Sequence, residues 1–105
     1  MNERLSKLIT EDRRLVILRL LSSVPDYSLN SIVLGVAVQE QAHVGSFDVI
    51  RSDAAWLAEQ GLVTIKNPSP DLMVLTLTPR GKDVARGSSR VPGVKVPEPG
   101  LDDDL

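Results

Sequence analysis

From Thr10 onward the apolar residues fall into two interleaved sets, Leu15, Leu18, Leu21 and Ile17, Leu20, Val24. This is the period of a helix, and so wide a stripe predicts one that is largely buried. Thr10 supplies an N-cap, and Glu11 and Asp12 put negative charge where the helix dipole favours it. Pro25-Asp26 ends the pattern, and residues 2–8 are read as a short preceding helix. After Tyr27-Ser28, the residues Leu29, Ile32, Val33, Val36 and Ala37 share one face, and Val38 with Gln39 to Gln41 carries the pattern toward His43. Ile32, Val36 and Val38 are β-branched and Gly35 costs about 1 kcal/mol against Ala, yet spacing and length still predict a helix. A third helix starts at the cap residue Ser46, with Asp48 in its first turn and Ile50, Ala54 and Leu57 at i, i+4, i+7. Val49 and Trp56 adjoin that stripe, and Gly61 stands where a left-handed C-cap glycine belongs.

The period then changes to two. Leu62-Val63-Thr64-Ile65-Lys66 and Met73-Val74-Leu75-Thr76-Leu77-Thr78 alternate across the turn-rich break Asn67-Pro68-Ser69-Pro70-Asp71, which predicts an antiparallel hairpin. Thr78-Pro79 opens a fourth helix, with Thr as N-cap and Pro at the first position. Gly81 weakens that helix, Val84-Ala85 gives it a small apolar face, and it is expected to fray by Gly87. Helix, helix, helix, hairpin, helix is the order of a winged helix-turn-helix, an α+β fold with a two-stranded wing and a C-terminal helix. Residues 1–87 are taken as that domain. Residues 88–105 hold prolines, glycines and a terminal acidic cluster, and are expected to be an extended or disordered tail without a core of its own.

Composition narrows the chemistry. The chain has 105 residues, enough for one domain. It has no Cys, which excludes thiolate metal sites, disulfides and cysteine nucleophiles, and its one His leaves no basis for a His-rich metal site. No metal or cofactor is expected. No apolar run approaches the ~20 residues of a membrane span, and the N-terminus lacks a signal peptide's apolar core, so a soluble protein in the cytoplasm is expected, with no membrane partner. Residues 1–97 carry twelve basic and ten acidic groups, while Glu98, Asp102, Asp103 and Asp104 give the remainder −4. The body is therefore slightly basic, which only weakly favours a polyanionic partner. There is no Gly-rich phosphate loop, no Gly-x-Ser-x-Gly and no His-Glu-x-x-His, and the acids lack the convergent setting of acid–base catalysis, so no enzyme activity is expected.

The stretch Trp56-Leu57-Ala58-Glu59-Gln60-Gly61-Leu62-Val63, followed by Leu75-Thr76-Leu77-Thr78-Pro79-Arg80-Gly81-Lys82-Asp83-Val84-Ala85, resembles winged-helix regulators of the ArsR and MarR type over roughly residues 10–87. The whole chain, with its run Arg90-Val91-Pro92-Gly93-Val94-Lys95, is also similar to small proteins of Mu-like phages and prophages. The first resemblance implies double-stranded DNA binding by a homodimeric transcriptional regulator, acting through the helix at 46–60. The reading side of that helix would be Ser46, Phe47, Asp48, Arg51, Ser52 and Ala55, with Lys66 and Asn67 in the wing and Lys66, Arg80 and Lys82 on phosphates. The metal-sensing role of ArsR proteins does not carry over, because their Cys or His ligand sets are missing.

Each assignment has a plainer counterpart. Arg51 can read guanine, or be a solvated side chain paired with Asp48 or Asp53. Ser46 can donate to a phosphate or simply cap its helix. His43 reads as a turn or surface residue, Trp56 as packing on the first helix, and Tyr27 as a cover over that helix's end. With only Arg51 basic on the reading side, the alternative function is a winged-helix protein-interaction module in phage morphogenesis or packaging. In that case the Pro-rich acidic tail would dock on a phage protein partner. The same tail could screen a DNA face in cis.

Overall fold

The computed structural model of the chain describes residues 2–99. Its elements are α1 (Glu3–Ser22), β1 (Ser28–Asn30), α2 (Ser31–Glu40), α3 (Phe47–Glu59), β2 (Val63–Ser69), β3 (Leu72–Leu77) and α4 (Pro79–Arg86). The result is a small α+β domain of four helices and one antiparallel sheet in the order β1-β3-β2. Leu15, Ile17, Leu18 and Leu21 of α1 meet Leu34 and Val38 of α2, Ile50 and Leu57 of α3, and Leu75 of β3 in a single core. Among the described residues, no helix is long and apolar enough to cross a membrane.

Several boundaries follow from local chemistry as expected. Ser46 Oγ accepts from Val49 N–H at 3.3 Å, and Thr78 Oγ1 accepts from Gly81 N–H at 3.0 Å, each holding a free donor of a first helical turn. Gly61 has φ +73° and closes α3, and α4 ends at Arg86 with Gly87 left-handed behind it.

Other boundaries differ. The first helix starts at Glu3, capped by Asn2 Oδ1, so residues 2–8 and the stretch from Thr10 form one helix. Thr10 is an interior position of that helix. Ser28–Asn30 is a short strand, paired through Ser28↔Thr76 and Asn30↔Val74, and Asn30 doubles as the cap of α2. Strand β2 continues through Asn67 and Pro68 to Ser69, with a shift of register after Lys66. Proline is accommodated there because this is an edge strand with an irregular ladder.

The stripe assigned to α2 also moves. Ser31, Leu34, Gly35 and Val38 face the core, whereas Ile32, Val33 and Val36 point outward. Helix α2 is apolar on both sides, so its sequence does not reveal which side is buried. Backbone proximity decides. A Cβ on Gly35 would lie 2.5 Å from Gly45 O, and one on Gly45 would lie 2.0 Å from Gly35 O. Gly35 thus costs helix propensity but lets the entry to α3 press directly on α2.

The stretch after Gly87 runs through bends and a turn at Pro92–Gly93, and it is not a separate tail up to Lys95, where it is fastened to the body. Val91 and Val94 are buried in the common core, and Lys95 N–H donates to Glu11 O at 3.2 Å. The acidic cluster Asp102, Asp103 and Asp104 lies outside the described residues.

Candidate functional site

The sequence points to the outer side of α3, and the fold separates its two sides cleanly. Ile50, Asp53, Ala54 and Leu57 are buried. Asp48, Arg51, Ser52 and Ala55 form an exposed stripe on the opposite side. Ser46 is exposed and occupied as the cap, while Phe47 is half-buried against the core and is not part of a free reading face. Neither Asp48 nor Arg51 makes an ion pair or hydrogen bond among the described residues.

Of the remaining candidates, two lie exposed on β2 and two are engaged within the chain. Lys66 and Asn67 are exposed on β2. Arg80 Nε donates to Gln60 O at 3.1 Å, at the far end of α3. Gln60 lies nine positions after Arg51, or about 14 Å along a helix axis. Lys82 Nζ donates to Tyr27 Oη at 3.0 Å and lies 4.9 Å from the Tyr27 ring centroid. That hydrogen bond, and then the lysine's charge, hold the Tyr27 hydroxyl below its ordinary pKa. Tyr27 has φ +57°, and its carbonyl accepts from Leu77 N–H at 2.9 Å, tying the turn after α1 to the sheet.

The buried side of α3 holds a polar cluster that the periodicity argument passed over. Asp53 is buried, receives hydrogen bonds from Arg13 Nε on Oδ2 and, at 3.2 Å, from Arg13 Nη2 on Oδ1, and has Arg14 Nε 3.4 Å from that same Oδ1. Asp53 is therefore the partner of α1 and not of Arg51. The Arg14 guanidinium stacks 3.9 Å from the Trp56 ring centroid and donates to Gly93 O at 3.1 Å. Trp56 packs against the first helix as its stripe position implied. Gly93 has φ +103°, and a Cβ there would sit 2.5 Å from the Trp56 ring, so this position requires glycine. One signal for Asp53 was present in the chain: it stands at i+3 of Ile50, inside the apolar stripe, where only a paired carboxylate is stable.

His43, in the loop between α2 and α3, is largely buried, with Nε2 2.6 Å from Asp12 Oδ2. A carboxylate only accepts, so the proton of this bond sits on Nε2. Lys95 Nζ donates to the other Asp12 oxygen at 3.3 Å. Burial opposes the Asp12 charge, but the hydrogen bonds from His43 and Lys95, with their charges, outweigh it and hold the carboxyl below the usual aspartate value. His43 thus fastens the α2–α3 loop to α1, and Asp12, bonded by both His43 and Lys95, joins these two to the C-terminal stretch.

The open feature lies beside the α3 stripe. Ile32 is 66% exposed, Val36 55% and Val44 62%, with Val33 at 48% on the far edge. The Cβ direction of Gly45 points at the Gln39 side chain as well as at Gly35. The Gln39 end of the Ile32–Val36–Gln39 edge of α2 therefore borders the loop that carries Val44 and Gly45. Helix α2 carries no charge before Glu40. The Ile32–Val36 edge and Val44 are aliphatic, and the exposed charges on α2 and α3 are Glu40, Asp48, Arg51 and Glu59.

Fold and site together define a small α+β domain with exposed aliphatic residues on α2 and in the α2–α3 loop, and an exposed stripe on the outer side of its third helix. No family model matches the chain, and no solved structure matches it. The chain is 46% identical over 95 residues to gp26 of Escherichia phage Mu, covering 90% of this chain and 97% of that protein, and it belongs to the gp26 family. It is also 39% identical over 74 residues to a protein of Haemophilus influenzae, covering 70% and 72% of the two chains. The resemblance to proteins of Mu-like phages is borne out; both relatives are themselves uncharacterized.

Proposed function

We propose that this phage protein is a winged-helix module that works by docking a protein through the face made of α2, Val44 and the outer stripe of α3, in the assembly or packaging stage of a Mu-like phage. The winged-helix reading is supported by the sequence of elements and by the sheet order β1-β3-β2, in which a short strand before α2 joins the hairpin. One observation carries the docking reading: Ile32, Val36 and Val44 are each more than half exposed, and α2 carries no charge before Glu40. With Val33, these side chains leave on the order of 5 kcal/mol of apolar transfer free energy unrealised, as an upper bound. An exposed patch of this kind marks a protein contact more often than a phosphate contact.

A second reading, double-stranded DNA binding and transcriptional regulation, is favoured by the exposed and unpaired Arg51. Its supporting cast is thin. Arg80 and Lys82 are engaged by Gln60 and Tyr27, and Asp48 opposes phosphate on the same stripe. Arg51 and Lys66 together would give a salt dependence with a slope of only about −2 in log K against log salt.

Binding to a pool of fluorescent duplexes, including the DNA that flanks the protein's own gene, separates the two readings. Docking predicts weak, sequence-indifferent binding that fades with salt and ignores Arg51→Ala. A specific complex that loses about 1–3 kcal/mol in Arg51→Ala would establish the DNA reading instead.

A further inference from the structure

We infer that the occupant of this face is a second copy of the chain, packed about a twofold axis with the α2 edges in contact. The inference rests on the docking reading above and names its partner. In a twofold contact the same patch faces itself, so residue i of one copy meets residue j of the other, and j meets i. A face suits this only if its charges do not repel their own images. Helix α2 meets the requirement, because Ile32 and Val36 are aliphatic and no charge precedes Glu40.

The α3 stripe goes further. Asp48 and Arg51 stand one turn apart, both exposed, both without an ion-pair partner among the described residues, and they do not pair with each other. Across a twofold, Asp48 of each copy can meet Arg51 of the other, so one acid and one base per chain make two pairs. A partner of unrelated sequence would have to supply a matching base and acid; a second copy already carries both. A stable dimer covers about 800 Å² per partner, more than a few aliphatic side chains supply, so the α3 stripe has to join the α2 edge in the contact. This arrangement covers Arg51, and it accounts for a third helix whose outer side carries no surplus of positive charge.

Sedimentation velocity of the full chain, from low micromolar to near-millimolar concentration, tests the proposal. Wild type is expected to be a dimer in the micromolar range. Val36→Lys should weaken self-association at least about tenfold, since it places a charge opposite its own image, while circular dichroism stays unchanged because a lysine at this exposed position reaches solvent. Asp48→Arg and Arg51→Asp should each weaken the dimer, and the combined swap should restore it, which a contact elsewhere would not produce. A dimer indifferent to Val36→Lys and to the single swaps overturns the inference. So does a monomer at every concentration, and two results then decide the docking reading. If a co-expressed phage protein binds the monomer and Val36→Lys abolishes that binding, docking stands with a different occupant. If Val36→Lys changes no association while Arg51→Ala abolishes duplex binding, docking fails as well.

Discussion

The two sides of α3 handle charge in opposite ways. Toward α1, Asp53 is buried and shared between Arg13 and Arg14, Arg14 also covers Trp56 and holds Gly93 O, and every charged group in the cluster has a partner. Away from α1, Asp48 and Arg51 are equally close in sequence, yet both stand in solvent without partners, beside the aliphatic edge of α2. The arginines of the inner side hold the protein together, whereas the single arginine of the outer side is free for a partner. Counting basic residues along the chain therefore says little about its surface. Of the twelve, Arg13, Arg14, Arg19, Arg80, Lys82 and Lys95 are engaged within the chain.

This contrast can be broken from either side. The largest effect is expected from Asp53→Ala, which leaves two arginines at the α1–α3 contact without their counter-charge. The cost should be about 3–5 kcal/mol of stability, read as a fall in the denaturation midpoint, and a change below 1 kcal/mol would show that the cluster is solvated. Gly45→Ala comes next. Its Cβ would meet Gly35 O at 2.0 Å, so α2 and the entry of α3 must part, at about 1–3 kcal/mol by chemical denaturation.

Acid should produce a smaller loss. The folded carboxyl of Asp12 lies below the usual aspartate value of 3.8, so its contribution is complete above that value and disappears as pH falls through the lower folded one. Its side chain is 38% exposed, and solvent screening limits the effect to under about 1 kcal/mol. Denaturation of Asp12→Asn beside the wild type, at neutral pH and at successively lower values, should show the two curves converging in acid; a constant gap would assign the loss to packing. The smallest effect is expected from Arg51→Ala, within about 0.5 kcal/mol of wild-type stability, because the exposed side chain has no hydrogen bond or ion pair among the described residues. A larger loss would mean that the outer side is not free.

Some of this was legible in the chain because its cause is local. Ser46, Gly61 and the Thr78-Pro79 pair mark helix ends by their own hydrogen bonds and φ angles, and period-two alternation marks β2 and β3. The start of α1 was obscured because its first half lies on the surface, where Leu5 and Leu8 are exposed and no buried stripe signals a helix. Strand β1 was obscured because three residues become a strand only by pairing with β3, some forty-five residues away in sequence. In the site, the α3 stripe and the isolation of Arg51 as its only base could be read from spacing, but the roles of Arg80, Lys82 and Asp53 could not.

The sequence by itself determined the hairpin of β2 and β3, the caps at Ser46 and Thr78, the absence of thiol chemistry and the near-balance of charge, because each depends on residue type or on near neighbours in the chain. Tertiary structure alone decided which side of α2 is buried. That helix is apolar all round, and the choice was made by the close contact of Gly35 with Gly45 and by the cores offered by α1 and β3. It also decided which charges are internal and which remain open, since an ion pair such as Arg13–Asp53 joins residues forty positions apart and exists only once α1 and α3 are packed. The exposed aliphatic face is the product of those two choices.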